Sequence, residues 1–145
     1  MDAMEMFRKK FEAYKQIKDQ SGDQTAWDTL MQGYPERQKN NMGHFIEDNT
    51  LAEGFTKAIP AYKMLGMDME VVDISNQGKD AVLEIQKVCP VLEMAKEYGL
   101  NPCRVICEMD VAATKAAFVG IQGGIQASIA NGDCVCIFKY ERPAR

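Results

Sequence analysis

Apolar residues recur at steps of three and four through most of the first 66 residues, which is the spacing of one face of an α-helix. In residues 2–19 this face consists of Met4, Phe7, Phe11, Tyr14 and Ile17. Asp23 is a suitable N-cap for a second helix, whose apolar face runs from Trp27 to Tyr34. Pro35 either interrupts that helix or opens a new one, because proline is tolerated in the first helical turn.

A further helix is predicted to begin at Thr50. Glu53 follows three residues later, and this pair forms the capping-box pattern that is typical of a helix start. The apolar face then consists of Leu51, Phe55, Ile59 and Tyr62. Pro60 lies inside this pattern and predicts a kink or an early end. Residues 36–43, before this helix, are strongly polar.

From Met67 onward the apolar period changes from about 3.6 to 2, which is the period of a β-strand. Residues 69–74 and 81–86 both alternate, and Asn76-Gln77-Gly78-Lys79 between them is a turn signal. This arrangement predicts a β-hairpin.

Two helices and a second hairpin are predicted after Cys89-Pro90. Glycine at 99 suits the end of the first helix, and the second runs from about Cys103 through Phe118. A strand at 125–129 and a returning strand from Cys134 to Glu141 flank Asn131-Gly132, which is among the strongest short hairpin signals.

This order of elements predicts an α+β fold. About three helices in residues 1–66 precede a hairpin–helix–helix–hairpin unit in residues 67–141, and the two hairpins would form a four-stranded, largely antiparallel sheet. A chain of 145 residues is long enough to bury one core, so we predict a single domain over residues 1–145.

The charge and the apolar runs argue against two classes of partner. A net charge of −4 does not suit a general nucleic-acid binder, which needs a basic face. The longest apolar run is far shorter than the roughly 20 residues of a membrane-spanning helix. The polar, acidic N-terminus is unlike a signal peptide. We therefore predict a cytoplasmic protein without nucleic-acid or membrane partners.

All five cysteines lie after residue 88, at Cys89, Cys103, Cys107, Cys134 and Cys136. An odd number without a secretory signal argues against a disulfide framework and favours free thiols or a metal site. Helical spacing places Cys107 and Asp110 on one face, and strand spacing places Cys134, Cys136 and Phe138 on another. If these two faces pack together, Cys107, Asp110, Cys134 and Cys136 converge, and Cys89 at the hairpin end joins them.

Three interpretations of this cluster remain open. Thiolates at Cys89, Cys107, Cys134 and Cys136 could bind zinc or iron, although their spacing differs from that of zinc ribbons and ferredoxins. Cys107 could instead act as a nucleophile, with Asp110 handling the proton. His44, the single histidine, would be its only imidazole base. The third interpretation is simple core packing, since free cysteine is among the most buried residue types.

The C-terminal half resembles the L-2-amino-thiazoline-4-carboxylic acid hydrolase family over roughly residues 67–141. The residues that carry the resemblance are Cys89-Pro90 before a helix, Val105-Ile106-Cys107-Glu108-Met109-Asp110, and Asn131-Gly132-Asp133-Cys134-Val135-Cys136-Ile137-Phe138. The resemblance implies site roles for Cys107, Asp110 and Cys134 or Cys136, with Cys89 matching the cysteine before the proline helix. The layout is also similar to four-vinyl reductase domains, which bind small hydrophobic ligands and sometimes zinc through cysteines.

Two functions from different classes follow. The first is a hydrolase of a cyclic amidine or thiazoline-type small molecule, acting through Cys107 and Asp110 with or without a metal. The second is a non-catalytic sensor or accessory module that binds a small ligand or a metal in the same pocket. Trp27, Phe118 and Phe138 are the predicted substrate contacts, and Tyr34, Phe55 and Tyr62 are further candidates to line the pocket. An open sheet edge also allows a homodimer.

Overall fold

The structure, a computed structural model, describes residues 2–145 and has helices and strands in the predicted order. Four helices come first: α1 (Ala3–Ser21), α2 (Asp23–Met31), α3 (Tyr34–Ile46) and α4 (Leu51–Met64). The hairpin strands β1 (Met69–Asp73) and β2 (Lys79–Gln86) follow. The remaining elements are α5 (Leu92–Tyr98), a π-helix (Cys103–Glu108), α6 (Met109–Ala117), β3 (Gln122–Ala127) and β4 (Cys136–Pro143). The predicted α+β class is confirmed.

The two hairpins form one four-stranded sheet within the described residues. Its strand order is β1-β2-β4-β3, and every neighbouring pair is antiparallel. Strands β2 and β4 join the hairpins, with Glu84 opposite Phe138 and Gln86 opposite Cys136. Since side chains alternate between the faces of a sheet, these four residues share one face with Tyr140. That face is turned toward the helices, because Tyr140 stacks on Phe55 of α4.

The helix starts follow from local side-chain chemistry. Asp2 and Glu5 form a complete capping box at the start of α1, and the Thr50 hydroxyl accepts a hydrogen bond from the Glu53 amide, 3.2 Å away, at the start of α4. Pro35 lies in the first turn of α3, so it opens a new helix. Asp23 is not the N-cap of α2 as predicted, because Gly22 occupies that position and Asp23 lies in the first turn.

Two helical segments extend beyond what the pattern predicted. The polar residues 36–43 belong to α3, where Gln38 and Met42 are buried and most of the others are exposed. Helix α4 continues past Pro60 to Met64, so the early end is wrong. Leu51 and Phe55 of α4 are buried against the rest of the molecule, and this packing holds the helix regardless of the proline.

The loop of the second hairpin is longer than the two-residue turn that Asn131-Gly132 predicted. Residues Ile129–Asn131 form a 3₁₀ turn that ends at Gly132, whose φ is +99°. The Asp133 carboxylate accepts a hydrogen bond from the Ser128 amide at 2.9 Å, and the Asp133 amide donates to the Ser128 carbonyl. Because this loop is closed by hydrogen bonds, β4 begins only at Cys136, and Cys134 lies in the loop before the strand.

The helices pack on the sheet through two buried clusters. One joins α3, α4 and α6 to the inner sheet face, and its central members include Ile46, Leu51, Phe55 and Val82. The other joins α1 to α5 and the π-helix around Phe11. Among residues 2–145, none of the helices combines the length and apolarity needed to cross a membrane.

A buried ion pair ties the last strand to the helical layer. The Arg142 Nε donates to the Asp80 carboxylate at 2.9 Å, and the other guanidinium nitrogens donate to the carbonyls of Ile46 and Asn49. The Asp80 carboxylate also accepts from the Leu51 amide at 3.1 Å. The end of α3, the start of α4 and strands β2 and β4 are therefore joined at one point.

Candidate functional site

A cavity of about 170 Å³ lies between the helices and the inner face of the sheet. Helix α1 contributes Lys10, α3 contributes Tyr34, and the sheet contributes Glu84, Gln86 and Tyr140. Most of its remaining wall is apolar. An engineered cavity of about 150 Å³ binds benzene, so this one has room for a single small ring with a substituent.

The junction between the π-helix and α6 places two of the predicted site residues on the cavity wall. Cys107 is in the π-helix, Asp110 is in the first turn of α6, and both line the cavity. Cys103 begins the same π-helix but is directed elsewhere, since its Sγ lies 2.8 Å from the Ser128 Oγ and it does not line the cavity. A single-turn π-segment within a helix is frequently found at a functional site.

A close backbone approach positions the Tyr140 ring beside the cavity. Gly123 on β3 is the partner of Tyr140 across the strands. A Cβ atom at 123 would lie 2.6 Å from the Tyr140 ring, so only glycine leaves room for it there.

Asp110 is a carboxyl on the cavity wall with a hydroxyl and an ammonium group beside it. The Tyr34 hydroxyl donates a hydrogen bond to its Oδ1 at 3.2 Å. Burial raises the pKa of the Asp110 carboxyl, whereas the Lys10 ammonium and the Tyr34 hydrogen bond act in the opposite direction. Burial in turn lowers the pKa of Lys10 to about 8. The Lys10 Nζ lies 4.7 Å from the centre of the Tyr34 ring, which gives it a cation–π contact.

Glu84 is a second carboxyl in the cavity, and its surroundings are different. Only 4% of the surface of Glu84 is exposed. Burial raises the pKa of Glu84 to about 8, and the Asp110 charge adds to this effect. Within the described part of the chain, no salt bridge is formed by Glu84. At pH 7 this carboxyl is therefore mostly protonated.

Gln86 adds an unpaired acceptor two residues along the same strand. Its Oε1 is buried and has no hydrogen-bond partner among the described residues. Sequence reasoning missed Glu84, Gln86 and Lys10. The sequence did carry a signal for Glu84 and Gln86. Residues 82, 84 and 86 alternate along β2 and must lie on the same face as the apolar Val82.

The Cys107 thiol is neutral in this environment. Burial raises the pKa of Cys107 well above its usual range, and the neighbouring thiols and Asp110 add to the shift. Burial also raises the pKa values of Cys89 and Cys136, which line the same cavity. A nucleophilic role for Cys107 therefore needs a base to remove its proton during the reaction.

The structure brings only some of the predicted site residues together. Cys89, Cys107, Asp110, Cys136 and Phe138 line the cavity, as do Tyr34 and Tyr62. Cys134 does not join them, because it lies exposed in the loop before β4.

The other predicted contacts lie away from the cavity. Trp27 on α2 packs under the Arg104 guanidinium, 4.0 Å from its ring centre, and Phe118 is buried in the cluster around Ile46. Phe55 lies in that same cluster, and His44 is exposed on α3 against Phe45. Trp27 and Phe118 are therefore not substrate contacts in this cavity, and His44 is not its base.

The predicted four-cysteine metal site is not assembled. Within residues 2–145, no three histidine, cysteine, aspartate or glutamate side chains are arranged as ligands of a metal ion. Cys134 lies outside the cavity, and the Cys136 Sγ accepts a hydrogen bond from the Ile129 amide at 3.3 Å. The donor set does not fit zinc or iron at Cys89, Cys107, Cys134 and Cys136.

Comparison with known proteins adds no assignment. A scan against models of protein families matches none of them, and a search of curated proteins finds no significant match. The resemblance to the thiazoline carboxylate hydrolase family accordingly stays a prediction.

Proposed function

We propose that this protein is a hydrolase of a small cyclic amidine or thiazoline-type molecule, which it binds in the cavity between the helices and the sheet. The observation that supports this proposal most directly is that Cys107, Asp110 and Glu84 all line the same cavity. A thiol and two carboxyls with different partners offer a nucleophile, a base and an acid within a single small site.

The partners of the two carboxyls divide the acid and base roles. Asp110 has the Lys10 ammonium nearby and a hydrogen bond from Tyr34, both of which favour its ionised form. Glu84 has neither, and its raised pKa favours the neutral acid. Pairs of carboxyls whose surroundings separate their protonation states serve as base and acid in many hydrolases. We assign the base to Asp110 and the acid to Glu84.

Hydrolysis at an amidine carbon then proceeds by addition and elimination. Asp110 accepts the proton of the attacking group, which is either water or the Cys107 thiol, as the new bond to the amidine carbon forms. Glu84 donates its proton to the nitrogen that leaves when the carbon–nitrogen bond breaks. Where Cys107 attacks, water subsequently releases the carbon from sulfur.

Two single substitutions test this proposal with 2-amino-2-thiazoline as the substrate probe. We expect Asp110→Asn to lower kcat by roughly 100-fold or more, which is typical for the loss of a general base. Cys107→Ser is expected to abolish turnover if the thiol attacks, and to have a smaller effect if water does. The measurement is steady-state kinetics with product detection by mass spectrometry.

The matched control is Cys134→Ser, which changes an exposed thiol outside the cavity. It should retain the activity of the unmodified protein. Activity that persists unchanged in both Asp110→Asn and Cys107→Ser would refute the assignment of the site.

A second candidate function is non-catalytic binding of a small ligand in the same cavity. The neutral Cys107 thiol and the mostly apolar wall favour this alternative. It predicts that the probe raises the melting temperature without any product. Product formation together with no ligand-induced stabilisation would count against it.

A homodimer and a cytoplasmic location also remain proposals. Strands β1 and β3 form the two edges of the sheet in the described residues, and open edges allow pairing with another copy. Light scattering during size-exclusion chromatography distinguishes a dimer from a monomer.

A further inference from the structure

We propose that Glu84 and Gln86 form a recognition floor that binds the nitrogen-bearing edge of the ligand through two N–H donors. This inference rests on the proposed function, because it assigns the amidine edge of the substrate to a place in the same cavity. It adds two residues that determine specificity and the chemical class that they select.

The geometry of β2 places the two side chains next to each other. They are two residues apart on one strand, so they lie on the same face with Cα atoms roughly 7 Å apart. Both line the cavity, and they are only 4% and 5% exposed. Opposite them on β4 are Phe138 and Cys136, which also line the cavity and offer no strong hydrogen-bonding group.

A third buried polar residue on the same strand provides an internal comparison. Asp80 shares this face of β2, and its carboxylate is paired with Arg142 and with the Leu51 amide. The Gln86 Oε1 has no such partner in the described chain, and Glu84 forms no ion pair there. Buried polar groups are nearly always satisfied in folded proteins. The Gln86 Oε1 is the unsatisfied buried side-chain atom among the described residues, and Gln86 lines the cavity.

The unpaired atom on this floor, the Gln86 Oε1, is an acceptor, so its missing partner is a donor. Asp110 on α6, Tyr62 on α4 and Tyr140 on β4 face Glu84, and none of them is a cation. Among the described residues that line the cavity, Lys10 is the one cationic side chain, and it lies beside Asp110 and the Tyr34 ring. A cyclic amidine accepts the Glu84 proton on its ring nitrogen, and the resulting amidinium presents two N–H donors, one to the Glu84 carboxylate and one to the Gln86 Oε1.

The size of the cavity limits the rest of the ligand. A volume of about 170 Å³ accepts one small ring. Guanidinium or amidinium groups on long, flexible chains would extend beyond it. The selected class is therefore a small cyclic amidine whose ring rests against the apolar wall.

A pair of ligands that differ at one group tests this floor by isothermal titration calorimetry. The first probe is 2-amino-2-thiazoline, and the second is 2-methyl-2-thiazoline, in which a methyl group replaces the donor amino group. We expect the second to bind about tenfold to a hundredfold more weakly, as for the loss of a charge-assisted hydrogen bond. Glu84→Gln and Gln86→Met should weaken the first probe by a similar factor and leave the second nearly unchanged.

The matched control is Glu70→Gln, which changes an acid on the opposite face of the sheet at the neighbouring strand. It should bind both probes as the unmodified protein does. Equal affinity for the two probes, or binding of neither, overturns the inference. If a cavity variant fails to fold, the difference in affinity between the two probes for the unmodified protein still tests the inference.

Binding and turnover separate this inference from the proposed function. Selective binding without any product supports the floor and refutes hydrolysis. Turnover of 2-amino-2-thiazoline together with an unchanged affinity for it in Gln86→Met, a residue outside the acid–base pair, refutes the floor and leaves a hydrolase.

Discussion

At the scale of single residues, burial without a partner is the main source of chemical character in this cavity. Asp80 and Glu84 are buried on the same strand, but only Asp80 has a guanidinium beside it. The raised pKa of Glu84 follows from that difference. A carboxyl kept neutral in this way can donate a proton or a hydrogen bond at pH 7.

The protonation of Glu84 predicts a pH dependence of stability. The unfolded pKa is near 4.5 and the folded pKa is about 8, so the folded state holds the proton more tightly. The contribution of Glu84 to stability is complete below pH 4.5 and is lost as the pH rises through 8. We expect the free energy of unfolding to fall by up to about 1.4 kcal/mol per pH unit within this range.

Urea titrations between pH 5 and 8.5 measure this slope. In Glu84→Gln the slope should be shallower. Asp110, whose pKa is also raised, contributes to what remains in the same direction, and Lys10, whose pKa is lowered to about 8, contributes in the opposite direction near pH 8. Identical slopes in the two proteins would show that Glu84 is ionised throughout the range.

Sequence patterns identified part of the site at this scale. Helical spacing brought Cys107 and Asp110 to one face, and strand spacing added Cys136 and Phe138, because both periods are fixed by backbone geometry. The alternation of 81–86 could not reveal which set faces inward, since both sets contain apolar residues. Glu84 and Gln86 were missed for this reason.

At the scale of elements, the contact between α3 and α4 depends on the absence of a side chain at Gly54. A Cβ atom there would lie 2.1 Å from the Phe45 carbonyl oxygen. Real atoms cannot approach so closely, and a backbone carbonyl cannot move aside as a side chain can. The two helices therefore need glycine at this crossing.

Gly54→Ala should force the helices apart and destabilise the protein by about 2 to 3 kcal/mol, the upper range for overpacking. Gly43→Ala is the matched control, because Gly43 lies in α3 and a Cβ atom added there would have nothing within 4 Å. It should stabilise the protein by up to about 1 kcal/mol through helix propensity. Thermal unfolding monitored by circular dichroism measures the stability of both variants. Equal stability changes in the two would contradict the requirement for glycine at the crossing of α3 and α4.

Element boundaries were less predictable than element types. The last strand was predicted, but its start at Cys134 was wrong. β4 begins at Cys136 because the Ser128–Asp133 hydrogen bonds close a loop that the local sequence pattern did not predict. The same shift moved Cys134 out of the cavity and removed it from the predicted metal ligands.

At the scale of the whole molecule, Arg142 joins parts of the chain that are distant in sequence. Its guanidinium contacts Asp80 on β2 and the carbonyls of Ile46 and Asn49 between α3 and α4. The cavity lies between these same layers, so its shape depends on how they are held together.

Arg142→Met should leave the Asp80 carboxylate buried without a cation and lower the free energy of unfolding by about 3 to 5 kcal/mol. The control is Arg8→Met, which removes an exposed pair with Glu97 and should change stability little. Urea unfolding measures both. A similar small effect for the two variants would show that the buried pair is not a structural link.

The π-helix makes this wall of the cavity sensitive to the deletion of a single codon. An α-helix closes each hydrogen-bonded ring over four residues and a π-helix over five, so Cys103–Glu108 behaves as a helix that has gained one amino acid. An in-frame deletion of codon 104 or 105 would restore the α-form and rotate Cys107 and Asp110 by about 100° relative to Cys103. The reading frame and every site residue would survive such a deletion, yet the cavity would lose its reactive wall.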